Sequence, residues 1–238
     1  MSMLRKKRIY DRRRVMEEAE RARSRNKRRK AISLYRWVLA VEPNNMELHA
    51  KLAPLLAQTG QNFDSWRSYR VTASAALRER RDDKALAIYR DAANYLPHEI
   101  HAWQRLAHLL AKQGEKEEAI GVLIEGSRQF RTPFLRSEAV HLLRRARAID
   151  PWHFDVVFEL AQHLRRSGQR EEARLLLKGL TGRSGEHRLR RVRAAQLRLD
   201  RTPAAAWRWL RSIVRPEEEP AAKKPIRSVV PLHAKARR

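Results

Sequence analysis

Three histidines at helical spacing are the nearest this chain comes to a metal-binding or catalytic signature. His98, His101 and His108 recur at intervals that place them close to one helix face, and imidazoles so arranged can converge on a divalent cation. The surroundings do not complete such a site. There is no HExxH pattern, no cysteine and no carboxylate pair set to converge with them, so the expected metal ligands are none and partly exposed histidines are the plainer reading. Glu159 and His163 stand four apart, an ordinary helix-surface pairing. The eight glycines form neither a phosphate loop nor a dinucleotide fingerprint, and no nucleophilic serine motif is present. Catalytic residues and cofactors are therefore expected to be none, and an enzyme is not expected.

The remaining chemistry is that of charge. The chain has 53 Lys and Arg against 27 Asp and Glu, a formal charge of +26, and so much like charge in a folded body favours an acidic or polyanionic partner. The excess sits at the ends. Residues 1–30 hold 14 basic and 4 acidic side chains, residues 31–182 hold 23 and 18, and residues 183–238 hold 16 and 5. Arg5, Lys6, Lys7 and Arg8, then Arg12, Arg13 and Arg14, then Arg25, Lys27, Arg28, Arg29 and Lys30 form the candidate anion-binding set. Two readings stay open for them: contact with phosphates of nucleic acid or with an acidic protein, or charge that serves solubility.

The elements that position these groups are set by an internal repeat. Pro43, Pro97 and Pro151 are evenly spaced by 54 residues, and behind each runs one phrase: Leu52-Ala53 with Gly60-Gln61, Leu106-Ala107 with Gly114-Glu115, Leu160-Ala161 with Gly168-Gln169. A fixed period of this kind means an array of supersecondary units, not one closed globule. Apolar spacings of 3 and 4 make the elements helices, three to a unit. In the first unit helix A is expected over Met46–Gln58, helix B over Phe63–Arg80 and helix C up to Pro97; in the second, A over Glu99–Gln113, B over Lys116–Gln129 and C over Pro133–Ile149. Residues 10–43 read as helices B and C of a truncated leading unit, because Ala31, Tyr35, Val38 and Pro43 precede Ala85, Tyr89, Ala92 and Pro97 by the same interval.

The pattern resembles the tetratricopeptide repeat. Trp103, Leu106, Ala107 and Leu110, the turn residue Gly114, and then Ala119 and Leu123 fall where that family places its small and large residues. Leu52, Ala53, Leu56, Gly60 and Tyr69 do so in one neighbour, and Val157, Leu160, Ala161, Leu164, Gly168, Ala173 and Leu177 in another. The family repeats every 34 residues with two helices, so helix B here would serve both as partner of A and as first helix of the B–C pair. The resemblance implies an all-α, right-handed α-solenoid of stacked antiparallel helices whose A helices line a groove for peptides. In members that clamp a carboxylate tail, set positions of helix A hold Lys and Asn; here they are Ala50 and Pro54, Gln104 and His108, Phe158 and Gln162, which disfavours a chaperone tail as ligand.

With Trp103, Leu106, Ala107 and Leu110 inside, His101, Gln104, Arg105, His108 and Lys112 share the opposite face of helix A, and Glu159, Gln162, Arg165 and Arg166 do so in the next unit. These nine are the candidate partner-binding groove, with a solvated helix surface as the alternative. Trp37, Trp66 with Tyr69, and Trp207 with Trp209 offer stacking surfaces for bases, or core and cap residues; one of the last two must face outward, since residues two apart on a helix diverge. The expected organisation is a basic arm at 1–11, helical repeats at 12–182, a divergent helical cap at 183–215 and a disordered basic tail at 216–238. No apolar run approaches the ~20 residues that span a bilayer, no secretory h-region follows Lys6 and Lys7, and the chain is expected to be cytoplasmic. The function so read is a non-enzymatic adaptor with a protein partner on the helix A face and an anionic partner at its ends; the alternative is an RNA-, DNA- or ribosome-associated protein that binds phosphates without sequence preference.

Overall fold

The computed structural model describes residues 11–200 and 202–214, and all their regular structure is helical. The anion-binding candidates Arg5, Lys6, Lys7 and Arg8 and the expected tail at 216–238 lie outside these residues. By packing, the chain divides into two compact units, Met1–Gln169 and Arg170–Arg238. None of the described helices is long and apolar enough to cross a membrane.

The first unit contains α1 (Arg12–Ser24), α2 (Arg28–Val41), α3 (Met46–Gln58), α4 (Asn62–Arg78), α5 (Asp82–Tyr95), α6 (Ile100–Gln113), α7 (Lys116–Gln129), α8 (Arg136–Ile149) and α9 (Phe154–Arg166). Each packs on the next along the chain, and α3 also meets α5 and α6 meets α8. Stacking of this kind needs small residues where helix axes come close. Ala31, Ala85, Ala119, Ala139 and Ala146 supply them and are wholly buried, beside Tyr35, Leu106, Leu123, Leu143 and Leu160, which fill the space between.

Local chemistry fixes the helix ends. The Asp11 carboxylate accepts from the Arg14 N–H at 3.2 Å, and the Asn45 side chain accepts from the Leu48 N–H at the same distance, each satisfying a donor that the first turn leaves open. Asp82 and Asp83 open α5 and Glu117 and Glu118 open α7, where the helix dipole favours negative charge. Five turns share one closing geometry. The N–H groups of Lys27, Gln61, Arg81, Glu115 and Gln169 reach back to the carbonyls of Ala22, Leu56, Ala76, Leu110 and Leu164 at 2.8–3.0 Å, the Schellman bond. It requires a left-handed residue, supplied by Gly60, Gly114 and Gly168 but also by Asn26 and by Arg80 at φ +58°. From 26 to 60 and from 80 to 114 the intervals equal the 34-residue tetratricopeptide length.

Some boundaries differ from the sequence reading: helix B of the first unit was expected over Phe63–Arg80, but α4 covers Asn62–Arg78 and Arg80 lies in the turn. Helix C of the second unit was expected from Pro133, but Pro133–Leu135 form a 3-10 turn and α8 opens at Arg136. Proline there has no N–H to lose from an α-helical ladder.

The second unit contains α10 (Arg170–Thr181), α11 (Glu186–Asp200) and α12 (Pro203–Val214). Helix α11 packs on both others, around Leu176, Leu177, Leu180, Val192 and Leu199. Arg174 ties α10 to α11 by a 2.8 Å ion pair with Asp200, and Arg193 of α11 donates to the Arg208 carbonyl of α12 at 3.3 Å.

Candidate interaction faces

Helix α6 presents its candidate residues as one strip because its other side is committed to the core. Ala102, Trp103, Leu106, Ala107, Leu109 and Leu110 are buried, leaving His101, Arg105, His108 and Lys112 exposed and Gln104 half-buried. The ends of the strip are engaged: His101 lies 2.7 Å from Glu99 and stacks on Trp66 with centroids 6.4 Å apart, and Lys112 stands 3.7 Å from Asp82. Arg105 and His108, between them, make no ion pair among the described residues. Burial pushes the Tyr89 phenol up from its ordinary value while Arg105 and Arg70 pull it back.

The α9 candidates face a different neighbour. Glu159, Gln162 and Arg165 are half-buried and Arg166 is exposed. Arg128 of α7 binds the Glu159 carboxylate through Nη2 at 2.5 Å and Nε at 3.2 Å, and that pair raises the Arg128 pKa. The Arg166 carbonyl accepts from Arg136 at 2.7 Å. Helix α6 packs on α5, α7 and α8, whereas α9 packs on α8, so the structure assembles the α6 set as a strip and sets the α9 residues beside α7 and α8. Burial and the nearby Arg166 hold the His163 imidazole below its usual value against the opposing pull of Glu159.

The three histidines weighed as metal ligands go separate ways. His98 meets the Phe130 ring edge-on at 6.0 Å, His101 is held by Glu99 and Trp66, and His108 points to solvent. Among the described residues no group of three or more His, Cys, Asp or Glu gathers as a metal site would need.

Part of the basic N-terminal set is neutralised within the fold. Arg12 binds Glu42 at 2.6 Å, Arg13 binds Glu17 at 3.3 Å and Lys30 binds Glu18 at 2.7 Å; the Arg12 contact, with Asn45, holds the Glu42 carboxyl below the usual carboxylate range. Arg14, Arg25, Lys27, Arg28 and Arg29 make no ion pair among the described residues. Lys27, Arg28 and Arg29 line one hollow at the α1–α2 turn with Asn26. Arg28 also borders a cleft of about 500 Å³, floored by Ala50, Pro54 and Leu55 of α3 and closed by the half-exposed Tyr95. Proline at 54 has no N–H to donate to the Ala50 carbonyl within α3. Lys51 stands at the cleft edge, 2.9 Å from Glu20 and 3.2 Å from Glu47.

Residues 136–196 match the tetratricopeptide repeat family. The helices described above stack in chain order, so the described residues form an all-α helical array that resembles this family. Solved structures similar to it include nearly identical TPR-like repeats from Podosopora anserina (20% identity, 80% of this chain and 97% of that one, TM-score 0.39). MamA (18%, 72% and 90%, 0.31) and a tetratricopeptide repeat protein from Parabacteroides merdae (12%, 87% and 93%, 0.28) are also similar. At these TM-scores nothing about partners or activity passes from them to this chain. No curated protein matches it.

Proposed function

We propose that the protein is a non-enzymatic adaptor that holds a protein or peptide partner on the α6 strip, with the α9 residues as a secondary contact, while its basic N-terminal residues engage something anionic. The observation that carries this is the strip itself: Arg105 and His108 stand exposed and without ion pairs on a helix whose opposite face is locked in the core. A rigid helix carrying unspent donors costs little entropy to engage, which is how helical arrays bind. Arg105→Glu with Lys112→Glu is expected to weaken the partner that co-purifies from the native host by about tenfold, since two charges change sign at an exposed contact. Glu125→Lys, an exposed reversal on α7, is expected to change affinity less than about twofold. Isothermal titration with the purified partner checks both, and equal losses would refute the assignment to α6.

A second reading has its own observation. Lys27, Arg28 and Arg29 share one hollow, with Arg25 at the same turn, and none has a carboxylate partner among the described residues. Such a cluster suits phosphates of RNA or DNA without reading bases.

A further inference from the structure

Helix α12 is amphipathic in the inverted sense. Its small residues Ala205 and Ser212 are buried, while Trp207 is 65% exposed and Leu210, Ile213 and Val214 are exposed with it. Trp207, Leu210 and Val214 are spaced three and four apart and form one stripe, with Ile213 along one edge. Arg208 and Arg211, both exposed, run along the other edge. The helix contains no Asp or Glu.

The charge of the whole unit has the same sign. Residues 170–214 hold twelve Lys and Arg against four Asp and Glu. Of those four, Asp200 and Glu171 are held by Arg174 at 2.8 and 2.5 Å, and Glu186 by Arg190 at 2.5 Å. A contiguous apolar stripe on a surface marks a contact, but a second copy seated here would set this positive charge against itself. What suits the face is apolar in depth and anionic at its edge. Twelve residues cannot span a bilayer; a helix with an outward Trp and aliphatic stripe and a cationic flank lies in the plane of one, its ring at the headgroup level.

We propose that α12 is an interfacial anchor for an anionic lipid bilayer. Trp207, Leu210, Ile213 and Val214 enter the boundary between headgroups and acyl chains, and Arg208 and Arg211 meet lipid phosphates. The anchor uses none of the α6, α9 or N-terminal residues, so its failure leaves the adaptor reading untouched.

Full-length protein is sedimented with vesicles of phosphatidylcholine alone or with about 30% phosphatidylglycerol. Binding is expected to the anionic vesicles and to be at least about tenfold weaker on phosphatidylcholine. Trp207→Ser with Leu210→Ser is expected to weaken binding to the anionic vesicles by at least about tenfold, because the apolar term is removed while every charge remains. Both side chains are solvent-facing, so an unchanged helical circular dichroism spectrum is expected to accompany the loss; Trp207→Phe is expected to keep binding within about threefold. Absence of sedimentation would overturn the anchor. So would equal binding of the double serine variant, which assigns attachment to the basic ends alone. A dimer that this variant makes monomeric would instead place a second copy on the stripe, and stripe-dependent binding of polyglutamate without vesicle binding would place an acidic protein there.

Discussion

Trp103→Ala is expected to destabilise the first unit by about 3–5 kcal/mol, the cost of deleting a buried aromatic. Trp103 is 4% exposed, its indole N–H donates to the Pro97 carbonyl at 3.0 Å, and its ring packs closely against Gly126 of α7. The closeness of that contact is what makes the loss large. A Cβ added to Gly126 would fall 2.7 Å from the ring, so the two helices meet over a ring and a backbone with no side chain between them. Truncation at 103 leaves a cavity that Gly126 cannot fill and a carbonyl without its donor. Urea unfolding followed by circular dichroism measures it: a midpoint within experimental error of wild type would mean that α6 and α7 do not pack through this contact.

Generic single-stranded RNA is expected to bind weakly at low salt and to lose roughly 50- to 150-fold in affinity between about 50 and 200 mM salt, if Arg25, Lys27, Arg28 and Arg29 each neutralise a phosphate with a slope of about 0.7–0.9 per contact. Replacing the four by Gln is expected to flatten that slope by about 3, whereas Gln at Arg12 and Arg13, which are held by Glu42 and Glu17, is expected to change it less. Fluorescence anisotropy across a salt series reads both. A salt-insensitive affinity, or strong preference among sequences, would show base readout instead of phosphate contact.

What could be read from the sequence follows from which interactions are local. Helix α3 was expected over Met46–Gln58 and occupies those residues, because its apolar spacing and Gly60 act within a few residues of one another. The turn after α4 carries no glycine, and the residue that makes it is Arg80, held left-handed. Of the tryptophan pair, Trp207 faces out and Trp209 is half-buried, as helical geometry demands of residues two apart. The charge pairings were not legible. Arg128 finds Glu159, Arg90 finds Glu118 and Arg36 finds Asp64, partners 28 to 31 residues away in the chain. Such pairs depend on how neighbouring helices cross, which a single helix pattern does not encode. For the same reason the pairing of Glu159 with Arg128 could not be read in advance.

Photo-crosslinking is expected to place the partner along α6. A crosslinking residue placed at His108 or Lys112, both exposed on the strip, should capture the partner from the native host. The same residue at Glu125, exposed on α7, should not. Capture from position 125 that equals or exceeds capture from 108 and 112 would contradict the account.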